Sequence, residues 1–269
     1  MVPMLGAIAG DIIGSVHEFT RNRRDDFTLF VERSSPTDDS LLTCAVALAC
    51  LDASVGYAGR LVEAYRLAES SPGGAPLDPS WGNGFRDWAS EGGARSGDSL
   101  GNGAAMRVSA IAWAHGEERE VLRQARLSAL PSHAHPEGVR GAQCAALATF
   151  VARTTRDPAR VRQAAERFYG PLPSLDQLRR EHRYDETCPV CVPAAMAIAA
   201  ETAGYEACVR AACSIGGDAD TLAAIAGGVS EALWGVPAPI AEEARRRLDV
   251  AYPWAARVLE RGRSEWEIP

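Results

Sequence analysis

The sequence predicts an all-α protein, on three observations. Apolar residues recur with a helical period along most of the chain, convincing period-two strands are missing, and helix start and stop signals bracket several Ala-rich segments. Leu5 to Val16 reads as the first helix, with Gly6, Gly10 and Gly14 four residues apart as a bare stripe for a close helix neighbour. Asp11 and Glu18, seven residues apart, fall together on another face of it. Leu41 to Ala53 and Leu61 to Glu69 follow, then Ala104 to Ala114, Glu118 to Leu130 and Val139 to Ala152. Asp157 before Pro158 is an N-cap with proline at the first helical position, which starts Pro158 to Phe168. Val192 to Thr202, Tyr205 to Cys213, Thr221 to Trp234 and Ile240 to Leu248 complete the set, and Gly235 with Pro237 stops the helix before them. Many of these segments are nearly apolar all round, as buried central helices are. Ser70 to Asn83 and Gly170 to Thr187 read as surface loops with helices of like character on both sides, so one domain over residues 1–269 is expected.

Composition removes several kinds of chemistry. The chain of 269 residues carries 28 basic and 35 acidic side chains, a net charge of −7, and every basic residue is Arg. With no Lys there is no Schiff-base lysine, no phosphate-binding P-loop lysine and no kinase lysine. The acidic balance lacks the positive field that drives binding to nucleic-acid backbones. Seven cysteines, most of them among Ala, Val and Leu, fit buried free thiols in a reducing compartment rather than a disulfide framework. Cys188 and Cys191 form a CxxC with no second pair to complete a zinc site, and packing is expected of them. Met1 to Gly10 has no basic region, and the longest apolar runs are too short to cross a membrane, so a soluble, cytoplasmic protein is expected.

Acidic residues concentrate at two places. Thr37-Asp38-Asp39-Ser40 precedes one apolar helix, and Gly216-Gly217-Asp218-Ala219-Asp220-Thr221 precedes another. Helix capping explains either one alone, because Asp, Ser and Thr are the usual N-cap residues. Two such clusters on central helices would instead draw four carboxylates into low dielectric, where they repel. Oxygen-only donors of this kind suit Mg²⁺, Mn²⁺ or Ca²⁺, and Glu18 or Asp11 could add a fifth carboxylate. Two further segments stand out. Asp98 to Arg107 is a small-residue loop entering a helix, whose backbone N–H groups would suit a phosphate or ribose, or simply a turn. Ser132-His133-Ala134-His135 places two histidines beside a helix start, as caps or ligand contacts rather than zinc ligands.

Taken in order, five motifs resemble the ADP-ribosylglycohydrolases. They are Gly6 to Ser15, Thr37 to Ser40, Gly101 to Arg107, Ser132 to Gly141, and Gly216 to Thr221 with its helix, and together they span nearly the whole chain. The resemblance implies a compact orthogonal helical bundle with a binuclear metal cleft holding two Mg²⁺ (or Mn²⁺). It also implies that Thr37, Asp38, Asp39, Asp218, Asp220 and Thr221 hold the metals, and that Glu18 is a mobile acidic residue near the cleft. Ser99, Leu100, Gly101 and Asn102 match the loop that contacts ADP-ribose, His133 matches a histidine lining the same pocket, and Gly82 and Gly84 match a glycine loop near the diphosphate. Ser40 stands where the family often has Thr, which keeps the hydroxyl.

The activity implied is hydrolysis of the bond between ADP-ribose and an acceptor on a protein or small molecule, with ADP-ribose as product. Glu18, Asp38 and Asp218 are the candidates for proton transfer. Nucleic acid is disfavoured as a partner by the charge, although an ADP-ribosylated nucleic acid stays among the acceptors; a monomer that avoids membranes is expected. Two other readings compete: a catalytically silent ADP-ribose-binding protein on the same scaffold, and a binuclear nucleotide phosphohydrolase.

Overall fold

The computed structural model describes residues 2–18, 24–70 and 80–266. Helices follow one another as α1 (Leu5–Gly14), α2 (Asp38–Leu51), α3 (Tyr57–Glu69), α4 (Asn83–Ser90), α5 (Gly103–Met106), α6 (Ser109–Ala114), α7 (Glu118–Ala129) and α8 (Pro136–Thr155). Then come α9 (Pro158–Tyr169), α10 (Leu175–Glu181), α11 (Cys188–Glu201), α12 (Tyr205–Ser214), α13 (Ala219–Trp234), α14 (Ala238–Ala251) and α15 (Pro253–Glu265), with a short 3₁₀ turn at Ala53–Val55. Among the described residues the only strand-like pairings are two isolated bridges, Asp98 with His133 and Gly101 with Thr187. The all-α expectation holds. No helix among the described residues is long and apolar enough to cross a membrane.

The centre of the molecule is α13, which packs on α1, α8, α11 and α12. Every residue of α1 and every residue of α13 except Trp234 is buried, as their nearly uniform apolar sequences predict. The glycine stripe of α1 lies against α13. A Cβ at Gly10 would run into the carbonyl of Ala223, and one at Gly14 would sit 2.5 Å from Cα of Asp220. These two glycines therefore permit direct backbone contact between the helices. The remaining helices wrap this pair, with α2 against α3, α6 and α15, and α14 against α1.

Four expectations need correction. The first helix ends at Gly14, so Glu18 lies on the turn after it and not on a face shared with Asp11. The stretch from Ala104 to Ala114 is two helices, because Arg107 and Val108 adopt turn angles while the buried Arg107 guanidinium bonds the Ser128 carbonyl at 2.8 Å. Tertiary hydrogen bonding there overrides local helix propensity. The loop from Gly170 to Thr187 contains α10, started by Ser174 Oγ accepting from the Gln177 amide at 3.1 Å. Finally, α4 and α15 lie where no helix was expected, although Pro253 at the first position of α15 was a usable start signal. Of the stretch from Ser70 to Asn83, residues 71–79 lie outside the described residues.

α1 begins without a local cap, since its N-cap Met4 offers no side-chain hydrogen bond. Glu231 of α13 supplies one from a distance. Its Oε2 accepts from the Gly6 amide at 3.0 Å, while the Tyr205 hydroxyl donates to the Gly6 carbonyl at 2.6 Å. Burial pushes the Glu231 carboxyl up to about 8, although the amides of Gly6 and Leu5 pull it down. A carboxyl raised in the folded state takes up a proton on folding, so it lowers stability as pH climbs from its unfolded value toward its folded one. Glu231→Gln keeps the amide-accepting oxygen without the ionisation. Its melting temperature is expected to gain on wild type by about 2–4 °C or more between about pH 5 and pH 8, read by thermal denaturation. A constant difference across that window would rule out titration of Glu231 as the cause.

Candidate metal and ligand cleft

The two acidic turns meet at the foot of one cleft, a cavity of about 590 Å³. That size suits a nucleotide-like ligand. Capping alone would have the aspartates accept from amides of their own helices. Instead Thr37 caps α2, accepting from the Asp39 amide at 3.3 Å, and the side chain of Asp218 at the head of α13 makes no cap bond. Asp39 Oδ2 accepts from the Thr221 hydroxyl at 3.2 Å, and Asp39 Oδ1 is buried with no partner. Asp218 Oδ2 accepts from Asn102 Nδ2 at 2.6 Å. Asp220 alone of these accepts from an amide of its own helix, Oδ1 from that of Thr221 at 2.9 Å, which leaves carboxylate oxygens of both turns facing one another.

They do so in two overlapping triads. Carboxylate oxygens of Glu18, Asp218 and Asp220 lie within 4.8 Å of each other, as do those of Asp11, Asp39 and Asp220, so Asp220 belongs to both. Asp38 lines the same cleft and takes a hydrogen bond from the Gly82 backbone. Burial raises Asp38, Asp39 and Asp220 well above the ordinary carboxylate range, and the charges of neighbouring aspartates push further. Burial likewise raises Asp218, and lifts Glu18 to about 7 with help from Asp218 and Glu186. An oxygen-only donor set, buried, mutually repelling and with one orphaned carboxylate oxygen, fits hard divalent cations.

One wall of the cleft is the loop from Asp98 to Gly103. The Asn102 amide donates to the Glu186 carbonyl at 2.8 Å, and the Cys188 amide donates to the Leu100 carbonyl at 3.0 Å. The Gly101 amide donates to Ser99 Oγ at 3.0 Å. The amides of Gly101 and Asn102 are therefore engaged in holding the loop, as in the turn reading of this segment and not the phosphate one. Cys188 Sγ donates to the Gly101 carbonyl at 3.1 Å, and Cys191 Sγ accepts from Asn102 Nδ2 at 3.3 Å. The CxxC thus packs behind this loop, both thiols buried and free, with burial pushing Cys188 up to about 12.

His133 stands beside the loop, nearly buried. Arg107 Nη2 donates to Ser132 Oγ at 2.9 Å, and Ser132 Oγ lies 2.8 Å from His133 Nδ1. Arg107 only donates, so Ser132 Oγ keeps its own proton and a second lone pair for Nδ1, while the other ring nitrogen, Nε2, faces Gly103. Burial, with the Arg107 charge adding to it, pushes His133 down to about 3 and keeps the ring neutral. A Cβ on Gly103 would stand 3.0 Å from that Nε2.

The expected site residues assemble with two exceptions. Glu18, Asp38, Asp39, Gly82, Gly84, Ser99, Gly101, Asn102, His133, Asp218, Asp220 and Thr221 all line the cleft. Thr37 lies just behind it, its hydroxyl donating to Asp11 Oδ1 at 2.7 Å. Leu100 is exposed and does not line the cavity. Phe85, Trp88 and Glu186 also line the cleft and were not expected there, while Arg107 and Ser132 lay within the motifs but were given no site role. Trp81, Phe85 and Trp88 were legible as an aromatic cluster of helical spacing beside Gly82 and Gly84. Glu186, in a stretch read as loop, gave no local signal.

The family model for ADP-ribosylglycohydrolase matches residues 3–267. The chain belongs to the ADP-ribosylglycohydrolase family. A solved structure described as an "ADP-ribosylglycohydrolase-related protein complex" shares the fold, with a TM-score of 0.65 at 20% identity over 97% of this chain and 96% of that one. Membership supports a hydrolase acting on ADP-ribosylated substrates and releasing ADP-ribose.

Proposed function

We propose that the chain, acting as one domain over residues 1–269, hydrolyses the bond between the anomeric carbon of the distal ribose of ADP-ribose and an N- or O-linked acceptor. The observation that carries this reading is the cluster of Glu18, Asp38, Asp39, Asp218 and Asp220 lining a nucleotide-sized cleft, with Asp220 close to both Asp39 and Asp218. Thr37, Asp38, Asp39, Asp218, Asp220 and Thr221 would hold two Mg²⁺ or Mn²⁺. A bound divalent cation supplies a Lewis acid for hydroxyl and water oxygens.

The chain's own residues do the rest. Asn102 holds Asp218 in place, and Thr221 holds Asp39, so both carboxylates keep an oxygen toward the cleft. Glu18, Asp38 and Asp218 stabilise the oxocarbenium character of the transition state and move the proton between water and the leaving group. Neutral His133 donates from Nε2 to a ligand oxygen and does not act as a base. Phe85 and Trp88 offer an apolar part of the cleft lining.

His133→Ala is expected to weaken ADP-ribose binding about tenfold, the loss of a buried hydrogen-bond donor to a charged ligand, with little change in kcat. Nitrogen-15 NMR of the wild-type ring should report the Nε2–H tautomer across neutral pH; the Nδ1–H tautomer would contradict the assigned role.

The free, buried cysteines support residence in a reducing compartment such as the cytoplasm, and the proposed acting unit is a monomer. The acceptor is identified by a panel of arginine-linked, serine-linked, O-acetyl and nucleic-acid-linked ADP-ribose with each metal, read by mass. Release of ADP-ribose from at least one is expected. Release of AMP would instead favour a phosphohydrolase, and binding without release would favour a silent binder.

A further inference from the structure

Asp11 contributes to neither wall of the cleft, yet it is completely buried one layer behind the acidic turn. Its carboxylate is occupied by protein donors. Oδ2 accepts from the Thr37 amide at 3.0 Å, from the Ser40 amide at 3.0 Å and from the Ser40 hydroxyl, while Oδ1 accepts from the Thr37 hydroxyl at 2.7 Å. These donors flank Asp38 and Asp39 on both sides, so one carboxylate clamps the whole turn. An ionised carboxylate only accepts, and so the Thr37 proton points at Asp11 and its lone pairs face the other way. A side chain engaged on both oxygens is poorly placed to be a cation ligand, although it lies within a carboxylate triad.

The same helix fixes the other acidic turn. Gly14, three residues on, touches the backbone of Ala219 and Asp220 so closely that a Cβ would stand 2.5 Å from Cα of Asp220 and 2.7 Å from the Ala219 carbonyl. α1 is thus bonded to the head of α2 through Asp11 and pressed on the head of α13 through Gly14. We infer that α1 sets the spacing between the two acidic turns, with Asp11 as a positioning residue rather than a ligand. This rests on the metal reading above for its consequence, but not for its geometry.

Two readouts separate the inference from that reading. In metal-free protein, hydrogen–deuterium exchange over residues 37–42 is expected to rise at least about tenfold in Asp11→Ala, while α7 and α9 exchange as in wild type. Asp11→Asn keeps an oxygen for the backbone amides, turns an NH₂ toward the Thr37 hydroxyl, and is expected to restore most of the protection. Mn²⁺ affinity, read by calorimetry, should fall about 10–100-fold in Asp11→Ala and less in Asp11→Asn, as for other groups that orient ligands. Gly14→Ala should weaken Mn²⁺ binding with exchange over 37–42 unchanged, because it moves the other turn. If Asp11→Ala does not fold, Ser40→Ala removes one donor and should shift both readouts in the same direction by smaller amounts. Unchanged exchange in the folded variant, or Mn²⁺ affinity equal to that of wild type, overturns the inference. If wild type binds no Mn²⁺, the metal reading fails and the exchange measurement decides the role of α1 alone.

Discussion

Asp218→Asn is expected to abolish release of ADP-ribose, by about 10³-fold or more, while leaving the metal-free fold as stable as wild type or more so. The loss follows from several kcal/mol of transition-state charge stabilisation that a metal and its carboxylate supply together, at about a factor of ten in rate per 1.4 kcal/mol. The stability half follows from burial. Asp218 lies buried among Glu18, Asp220 and Glu186, and burial already raises its carboxyl. A neutral amide removes that repulsion and can still face Asn102, whose Nδ2 donates to Oδ2 at 2.6 Å. Activity assays and thermal melts on one preparation decide the matter. Loss of activity together with a lowered metal-free melting temperature would mean that Asp218 mainly supports the fold.

Divalent cations should raise the melting temperature, and chelation should return it to the metal-free value. Binding only to the folded state at about a hundred times Kd adds about 2.7 kcal/mol. For a protein of this size class each kcal/mol moves the midpoint by about 2–4 °C, so an upward shift of about 5–11 °C is expected. The reason is local. Asp38, Asp39 and Asp220 are all raised by burial first and by neighbouring carboxylates next, and two cations would relieve that repulsion. Asp39→Asn should shrink the shift, because it neutralises a cleft carboxylate whose buried Oδ1 has no protein partner. Equal melting with and without metal in wild type would count against a preformed centre.

Much of this was legible from residues alone, for identifiable reasons. The Gly6, Gly10, Gly14 stripe announced a close helix partner, and α13 is that partner. The two Asp-rich turns announced a shared centre because each led into an uncharged helix. Asp11 was less legible. Sequence spacing grouped it with Glu18 as a possible ligand, whereas the helix stops at Gly14, and long-range bonds to Thr37 and Ser40 give Asp11 a different task. Arg107 was hidden for a similar reason. Nothing local distinguishes an arginine in a helical stretch from one that breaks the helix to reach Ser128 and Ser132. Glu186 reaches the cleft only because its strand-like segment pairs with the loop at Gly101, a contact across 85 residues of chain that no local pattern encodes.

The most direct test is to run the reaction in oxygen-18 water with an ADP-ribosylated substrate and Mg²⁺ or Mn²⁺, and to locate the label by mass. Hydrolysis at the anomeric carbon predicts one oxygen-18 atom on the distal ribose of the released ADP-ribose, with no label in phosphate and no product after chelation. Label in AMP or in phosphate, or ADP-ribose released at the same rate without metal, would contradict it.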